Sequence, residues 1–444
     1  LPVPTWRLAA AAAALAVVLL GVPGADAGLA AGLNLALLVA AAADLAATVS
    51  PRALQVQREL PAVLTLGTGG TVTWRVANPT RRRARVRLAD QLAPSLRAAT
   101  RRARLTVPAG GRATARTAIR PSRRGRFDPD EVVVRVEGPL RLLARQGRRS
   151  VPGTLRVYPP FRSRKEAELR ITRTRILEVG LRSARGRGGG TEFDALREYT
   201  TDDEFRRIDW AATARARRPI VRTYRAERNQ TLLLLLDTGR TMAGRVREAG
   251  SDPSDQGLPR LDHALDAVMM LTAVATRLGD RAGLVAFADR VRAVVPPGHG
   301  RDQLTRVTEA LYALEPLLVE SDHRGAFVES LARFRRRALL VVLTELAEAP
   351  VMETLLPALP LVARDHLVIV AGVRDPDVDR WAAAVPTEGG AAYRKAAAVA
   401  ALADRRRTVA ALRGRGAVVV DAPPGRLAPE LADAYLRIKA AGRL

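Results

Sequence analysis

The sequence predicts a multi-domain chain: an N-terminal transmembrane α-hairpin, then a β-sandwich, then an α/β doubly wound domain. Three observations carry this. Two long apolar runs sit near the N-terminus, each close to the ~20 residues that cross a bilayer. Residues 52–158 alternate apolar and polar side chains in short segments separated by turn signals, the pattern of half-buried strands. From Thr231 onward, short continuous apolar runs alternate with helical segments, as in a parallel sheet buried on both faces.

Residues 5–50 form the predicted hairpin. Trp6-Arg7 precedes the run Leu8 to Val22, Gly21-Val22-Pro23-Gly24 makes the turn, and a second run spans Ala27 to Val49, broken only by Asn34, Asp44 and Thr48. Arg7 on one flank and Arg52 and Arg58 on the other place both ends in the cytoplasm by the positive-inside rule. Asp44 is costly against lipid, so it is expected to face the partner helix or a second copy of the chain. Two other readings stay open: a secretory signal cleaved near Ala25-Asp26-Ala27, and a pair of alanine-rich soluble helices.

Residues 52–158 read as a small β-sandwich. Strand segments are expected at Thr71–Val76, Ala84–Leu88, Arg104–Val107, Ala113–Ile119 and Val132–Val136, between turn signals such as Gly69-Gly70, Asn78-Pro79 and Glu137-Gly138-Pro139.

Residues 159–228 read as a linker carrying a dense signature of acids, arginines and aromatics. A charged stretch ends in Gly186 and Gly188-Gly189-Gly190, which lack the pattern of a phosphate loop and read as flexible linker. A capping box at Thr201 and Glu204 opens a helix with Phe205, Ile208 and Ala212 on one face, and Pro219 ends it. Arg197, Glu198, Asp203, Arg206 and Asp209 are expected to form ion pairs. Those pairs serve either a structural network or, with Tyr199 and Trp210, a docking surface.

Phe193, Leu196-Arg197-Glu198-Tyr199, Asp203, Arg206, Ile208-Asp209-Trp210 and Ala214-Arg215 resemble the signature of the family called domain of unknown function 58. Asp202 stands where that family has Gly, and Asp tolerates a positive φ less well. Ser122 to Phe127 and Tyr158-Pro159 are similar to further elements of the family. Glu137-Gly138-Pro139-Leu140 replaces its usual D-P-F-G-L.

Residues 229–444 are read as the doubly wound domain. The predicted strands are Leu232–Leu236, Ala282–Phe287, Ala338–Leu343, His366–Ala371 and Ala417–Val420, with Val291–Val295 as an antiparallel edge hairpin. Helices are expected at Leu261–Leu278, Gln303–Leu314, Gly325–Phe334, Met352–Ala363, Ala396–Arg413 and Ala428–Lys439. That order resembles a von Willebrand factor type A domain.

In an open α/β sheet, ligands bind beyond the carboxyl ends of the strands, where Asp237, Gly239 and Thr241 follow the first run. The resemblance implies a site for a divalent cation there, built on D-x-S-x-S. Asp237 and Thr241 match, Gly239 brings no hydroxyl, Thr344-Glu345 takes the place of the distal Asp, and Asp322 is a further contributor. The expected metal set is therefore Asp237, Thr241, Asp322 and Glu345, for Mg²⁺, in degenerate form.

Of 444 residues, Lys and Arg number 72 and Asp and Glu 45, a formal charge of +27. Only Lys165, Lys395 and Lys439 are lysines, so an arginine-favouring codon bias explains part of this charge. No recognised nucleic-acid motif accompanies it, and no specific nucleic acid is expected as partner. Cysteine is absent, which excludes disulfides and thiolate metal sites. The four histidines are scattered, with no nucleophile beside any of them. The chain is thus expected to be a membrane-anchored adaptor in contact with the bilayer and not an enzyme. Its expected docking surface is the Asp237–Thr241 rim together with the Arg197–Trp210 segment. The family resemblance implies a MoxR-type AAA+ ATPase as partner, in assembly of envelope complexes. The rivals are a metal-assisted hydrolase using Asp237 and Glu345, and a basic membrane-tethered nucleic-acid binder.

Overall fold

The computed structural model describes residues 1–21, 26–184, 192–200, 203, 205, 208–225, 230–248, 250–251 and 256–441. Side chains are described for these residues except 175–184, 192–195 and 223–225. The chain divides into two compact units, residues 1–158 and 159–444.

The first unit begins with helices Trp6–Gly21 and Ala27–Ala47. Asp26 caps the second, its carboxylate accepting from the Leu29 amide at 2.8 Å. Most of their apolar side chains are exposed, among them Val17, Leu20, Leu35 and Leu38. The stretch Ala27–Ala53 is long and apolar enough to cross a membrane, while Trp6–Gly21 is shorter. Asp44 does not face the other helix or await a second copy. Its carboxylate is buried beneath the turn Gly138–Leu143 and accepts three backbone amides, Leu140 at 2.7 Å, Leu142 at 2.9 Å and Leu143 at 3.0 Å. A carboxylate so satisfied tolerates burial, which is why an acid can end a helix this apolar. The Thr5 hydroxyl binds the carbonyls of Arg141 and Leu142 in the same turn. Both ends of the helical pair are thereby tied to one loop.

Beyond the helices, three sheets enclose one core. A five-stranded antiparallel sheet runs Pro2–Pro4, Leu143–Ser150, Glu131–Glu137, Ala84–Asp90, Arg102–Val107. Two three-stranded sheets complete it: Gln55–Glu59, Gly70–Ala77, Arg112–Ile119, and Val63–Thr65, Leu155–Tyr158, Gly125–Phe127. Alternate residues such as Val72, Trp74, Val76, Val86, Leu88, Val132, Val134 and Val136 point into that core. Arg58, expected as a flanking surface charge, is instead fully buried. It binds Asp90 at 2.6 Å and the carbonyls of Pro129 and Val151, and the Trp74 indole donates to the other Asp90 oxygen at 2.6 Å. A guanidinium leaves water at a cost that its partners must offset. Here one carboxylate and two carbonyls take its terminal donors, while Nε has no partner among the described residues.

The second unit opens with helix Arg164–Ala184, within the charged stretch expected as flexible linker. Its charged composition hides one short apolar stripe: Ala167 and Ile171, four residues apart, are buried against helix Arg260–Arg277.

The main sheet follows. Its strands are β1 Thr231–Asp237, β2 Arg281–Phe287, β3 Val291–Gly298, β4 Leu339–Leu343, β5 Leu367–Val373 and β6 Val418–Ala422. The order is β3-β2-β1-β4-β5-β6, with β3 antiparallel to β2 and every other pair parallel. This is the doubly wound arrangement, and β1 lies inside the sheet as its apolar run requires. Leu232, Leu234 and Leu236 enter one core with helices Arg260–Arg277 and Leu427–Ala440. Leu233 and Leu235 enter the other, with helices His323–Arg333 and Leu356–Ala363. Between β5 and β6 stand two helices, Pro376–Ala383 and Gly389–Gly414. The first was not anticipated, because its signal is a cap and not an apolar stripe: Asp375 accepts from the Asp377 amide and Pro376 opens the turn.

Candidate functional site

At the carboxyl end of β1 the Asp237 carboxylate is 1% exposed. Oδ1 accepts from the Gly239 amide at 2.7 Å and the Ser321 hydroxyl at 2.5 Å, and Oδ2 accepts from the Thr344 hydroxyl at 2.6 Å. Ser321 stands two residues before helix His323–Arg333, and Thr344 directly follows β4, so three loops converge on one carboxylate. Gly239 has a specific reason here. A Cβ at that position would lie 2.1 Å from Ser321 Oγ and 3.0 Å from the Val319 carbonyl. A hydroxyl does reach Asp237 in the space beside Gly239, but it comes from Ser321, 84 residues beyond Asp237. Sequence reading singled out the neighbouring Asp322 but had no signal for the serine.

The other expected metal residues are engaged elsewhere. Asp322 caps the helix that follows it, accepting from the Gly325 amide at 2.8 Å. Glu345 lies between two arginines, Arg260 at 2.9 Å and Arg405 at 2.6 Å, and Arg405 also grips Asp421 at 2.8 Å. Thr241 is half-buried in the turn Arg240–Ala243. Among the described residues no three His, Asp or Glu side chains form a group able to hold a metal ion. Asp237 alone offers a carboxylate, and the charge of Glu345 is already met by guanidinium. The four residues thus do not fit Mg²⁺ as one ligand set, since a hard divalent cation needs several oxygens around a single point.

Burial of Asp237 also corrects its expected part in docking, because its oxygens do not reach the surface. Arg240 does, paired with Glu320 at 2.6 Å. Beside the site, the His323 ring packs edge-on to Phe287, with centroids 5.4 Å apart, and its Nδ1 meets the Thr354 hydroxyl at 2.9 Å. Burial pushes the His323 pKa below the usual histidine range, against the opposing pull of Asp237 and Asp322.

The second cluster is the signature segment. Strand Glu192–Glu198 pairs antiparallel with Ile220–Arg225, and helix Trp210–Ala216 stands between them in sequence. Arg197 grips Asp203 with two bonds, 2.8 and 2.5 Å, while the Thr200 amide and hydroxyl add donors at 2.9 Å each. Led by the Arg197 guanidinium, these donors hold the Asp203 pKa at about 2. Asp209 caps the helix, accepting from the amides of Ala211 and Ala212 at 3.0 Å each, and takes Arg222 at 2.7 Å. Arg222, and then the Ala212 amide, draw its pKa below the ordinary carboxylate value. The helix starts later than the capping box suggested. Ile208 bridges to Val221 as extended chain, and Asp209 is the cap. Thr201, Glu204 and Arg206 lie outside the described residues.

These acids are thus spent on holding the segment together. Glu198 pairs with Arg218 at the surface, and Tyr199 is half-buried with its amide on the Pro219 carbonyl. Among the described residues the exposed side chains include large apolar ones. Phe205 and Trp210 are 67% and 61% exposed and meet edge-on, with centroids 5.6 Å apart. Leu196, on the paired strand, is exposed as well.

Fold and sites together define a doubly wound α/β protein with a buried, hydroxyl-bound carboxylate at the end of its first strand and an exposed aromatic pair on an ion-paired hairpin. The model of the family described as protein of unknown function DUF58 matches residues 195–403, from within the signature hairpin into helix Gly389–Gly414, and supports the resemblance to that family. No curated protein matches the chain.

Proposed function

We propose that this chain is a membrane-anchored interaction protein whose second unit docks another protein through the exposed aromatic pair Phe205–Trp210. The observation that carries the proposal is a contrast among the described residues of the signature segment: Asp203 and Asp209 are bound by Arg197 and Arg222, whereas Phe205 and Trp210 are mostly exposed. Exposed aromatics on a rigid support are the usual anchors of protein interfaces, because little entropy is lost when they are covered.

A von Willebrand factor type A-like reading of residues 229–444 is supported by the strand order, the antiparallel β3, and the acid after β1 with a threonine after β4. The partner implied by the family resemblance is a MoxR-type AAA+ ATPase, the soluble units facing the cytoplasm, with binding and not turnover as the activity. The test is recovery of a MoxR-type ATPase on the detergent-solubilised full chain. Trp210→Ala and Phe205→Ala are expected to lower recovery about tenfold or more, the scale of an interface hot spot. Tyr393→Ala, an equally exposed aromatic on helix Gly389–Gly414, is expected to leave it unchanged. Equal recovery from all three variants and the parent chain removes the aromatic pair from the interface.

A further inference from the structure

The geometry points to a lipid-headgroup site: an arginine collar at the base of the helical pair that binds anionic phospholipid. This rests on the membrane-anchor reading and goes beyond it by naming the residues and the lipid charge.

The helices Trp6–Gly21 and Ala27–Ala47 leave and re-enter the first unit at Pro4–Thr5 and at Ala46–Pro51. Three arginines reach to those points, two from strands and Arg82 from the loop before strand Ala84–Asp90. Arg135 donates to the Pro4 carbonyl at 3.1 Å, Arg82 to Ala46 at 3.4 Å and Arg149 to Pro51 at 2.7 Å. Arg85 donates to Pro139 at 3.3 Å, in the turn that holds Asp44. Arg7 stacks on Trp6, 5.6 Å from the ring centroid, and the indole itself is exposed at the helix start. Arg52 is exposed in the short 3-10 turn Pro51–Ala53 that follows the second helix.

Each of these guanidiniums has five N–H donors and spends few of them on the carbonyl it touches. At the level where the apolar helices begin, Arg7, Arg52 and Arg82 are exposed and Arg85, Arg135 and Arg149 are half-buried. A 21-residue helix is about 31 Å long, close to the bilayer hydrocarbon core, so this level is that of the headgroups when the helix is inserted. Trp6 sits at the same level, where indoles favour the interface. The nearby carboxylates do not oppose an anion. Asp44 is covered by three amides, and Glu137 is bound by Arg87 at 2.6 Å. Planar guanidiniums match the forked oxygens of a phosphodiester, and a ring of them favours a leaflet with net negative charge.

The experiment uses the full chain in neutral detergent, its melting temperature followed with added phosphatidylglycerol or phosphatidylcholine. Phosphatidylglycerol is expected to raise the melting temperature by roughly 3 °C or more beyond phosphatidylcholine. That excess should vanish at about 0.5 M salt, where the screening length is a few ångströms. The triple variant Arg82→Gln, Arg85→Gln, Arg135→Gln should lose the excess, and the same three changed to Lys should keep most of it. Control changes Arg102→Gln, Arg104→Gln and Arg116→Gln, on strands Arg102–Val107 and Arg112–Ile119, should retain it. Equal stabilisation by both lipids, or an excess that survives the glutamine triple, overturns the collar. Duplex DNA matching phosphatidylglycerol overturns it too, in favour of a general polyanion surface. Carbonate extraction of cell membranes separates the two readings. Release of the chain into the soluble fraction sinks the membrane anchor itself, whereas retention with no lipid preference sinks only the collar.

Discussion

The carboxylates at the sheet edge and those of the signature hairpin meet the same problem, burial of a charge, by different routes. Asp237 is satisfied by neutral donors: one amide and two hydroxyls. Asp203 and Asp209 are each matched by a guanidinium in addition to local donors. Glu345, near the same sheet edge as Asp237, follows the hairpin's route with two arginines. In a chain with a formal charge of +27, arginine is at hand almost everywhere, yet the hydrogen bonds described for Asp237, like those of Asp44, come from neutral donors. In the hairpin segment the paired acids stand close to an exposed aromatic pair. The Asp237 site joins three loops through one buried carboxyl group.

The sharpest way to break this comparison is at the hydroxyl-bound carboxylate. Asp237→Ala leaves one amide and two hydroxyls without their acceptor in a buried place, and is expected to cost about 2–4 kcal/mol in chemical denaturation. Gly239→Ala drives a methyl into Ser321 Oγ and is expected to cost roughly 1–3 kcal/mol. Combining it with Ser321→Ala should recover part of that loss, and strictly additive costs would show that the two residues do not share the space. Millimolar Mg²⁺ should leave the melting temperature unchanged in the parent and in Asp237→Ala alike.

Smaller effects belong to the hairpin. Asp209→Ala removes a helix cap and unpairs Arg222, for an expected loss of about 1–2 kcal/mol. Acid acts in two windows. Burial lowers the pKa of His263, His323 and His366, so folding holds them neutral. Their contribution is present above the unfolded value near 6.5 and falls away as pH drops below it. Asp203, held at about 2, contributes fully above the unfolded value near 4 and loses its contribution as pH falls toward 2. Arg197→Met should flatten the lower window and leave the upper one in place, as read from melting temperature against pH. The smallest expected effect is that of Trp210→Ala, within about 0.5 kcal/mol, because the indole is mostly in water already. A large destabilisation there would make the indole a structural contact and weaken its claim as a docking anchor.

Much of the architecture is legible in the bare chain. The run Leu232–Leu236 is apolar without alternation, so both of its faces must be covered, and only an internal strand of a two-sided sheet does that. Alternation in Ala84–Asp90 and Glu131–Glu137 likewise announces strands with one face inward. The helix Arg164–Ala184 was hidden because two apolar residues among many charges give a weak periodic signal. The helix start at Trp210 was misplaced because Thr201 and Asp209 are both good caps. The choice fell to the bridge between Ile208 and Val221, a contact with a distant strand.

Periodicity and turn chemistry act between near neighbours, so the order of elements and the candidate carboxylates could be read from the chain alone. Which donor satisfies each carboxylate could not. Asp44 finds the amides of residues 140–143, Asp237 finds Ser321 and Thr344, and Glu345 finds Arg260 and Arg405, all far apart in sequence. A buried charge must be met by whatever the fold brings within about 3 Å, and that choice belongs to tertiary structure.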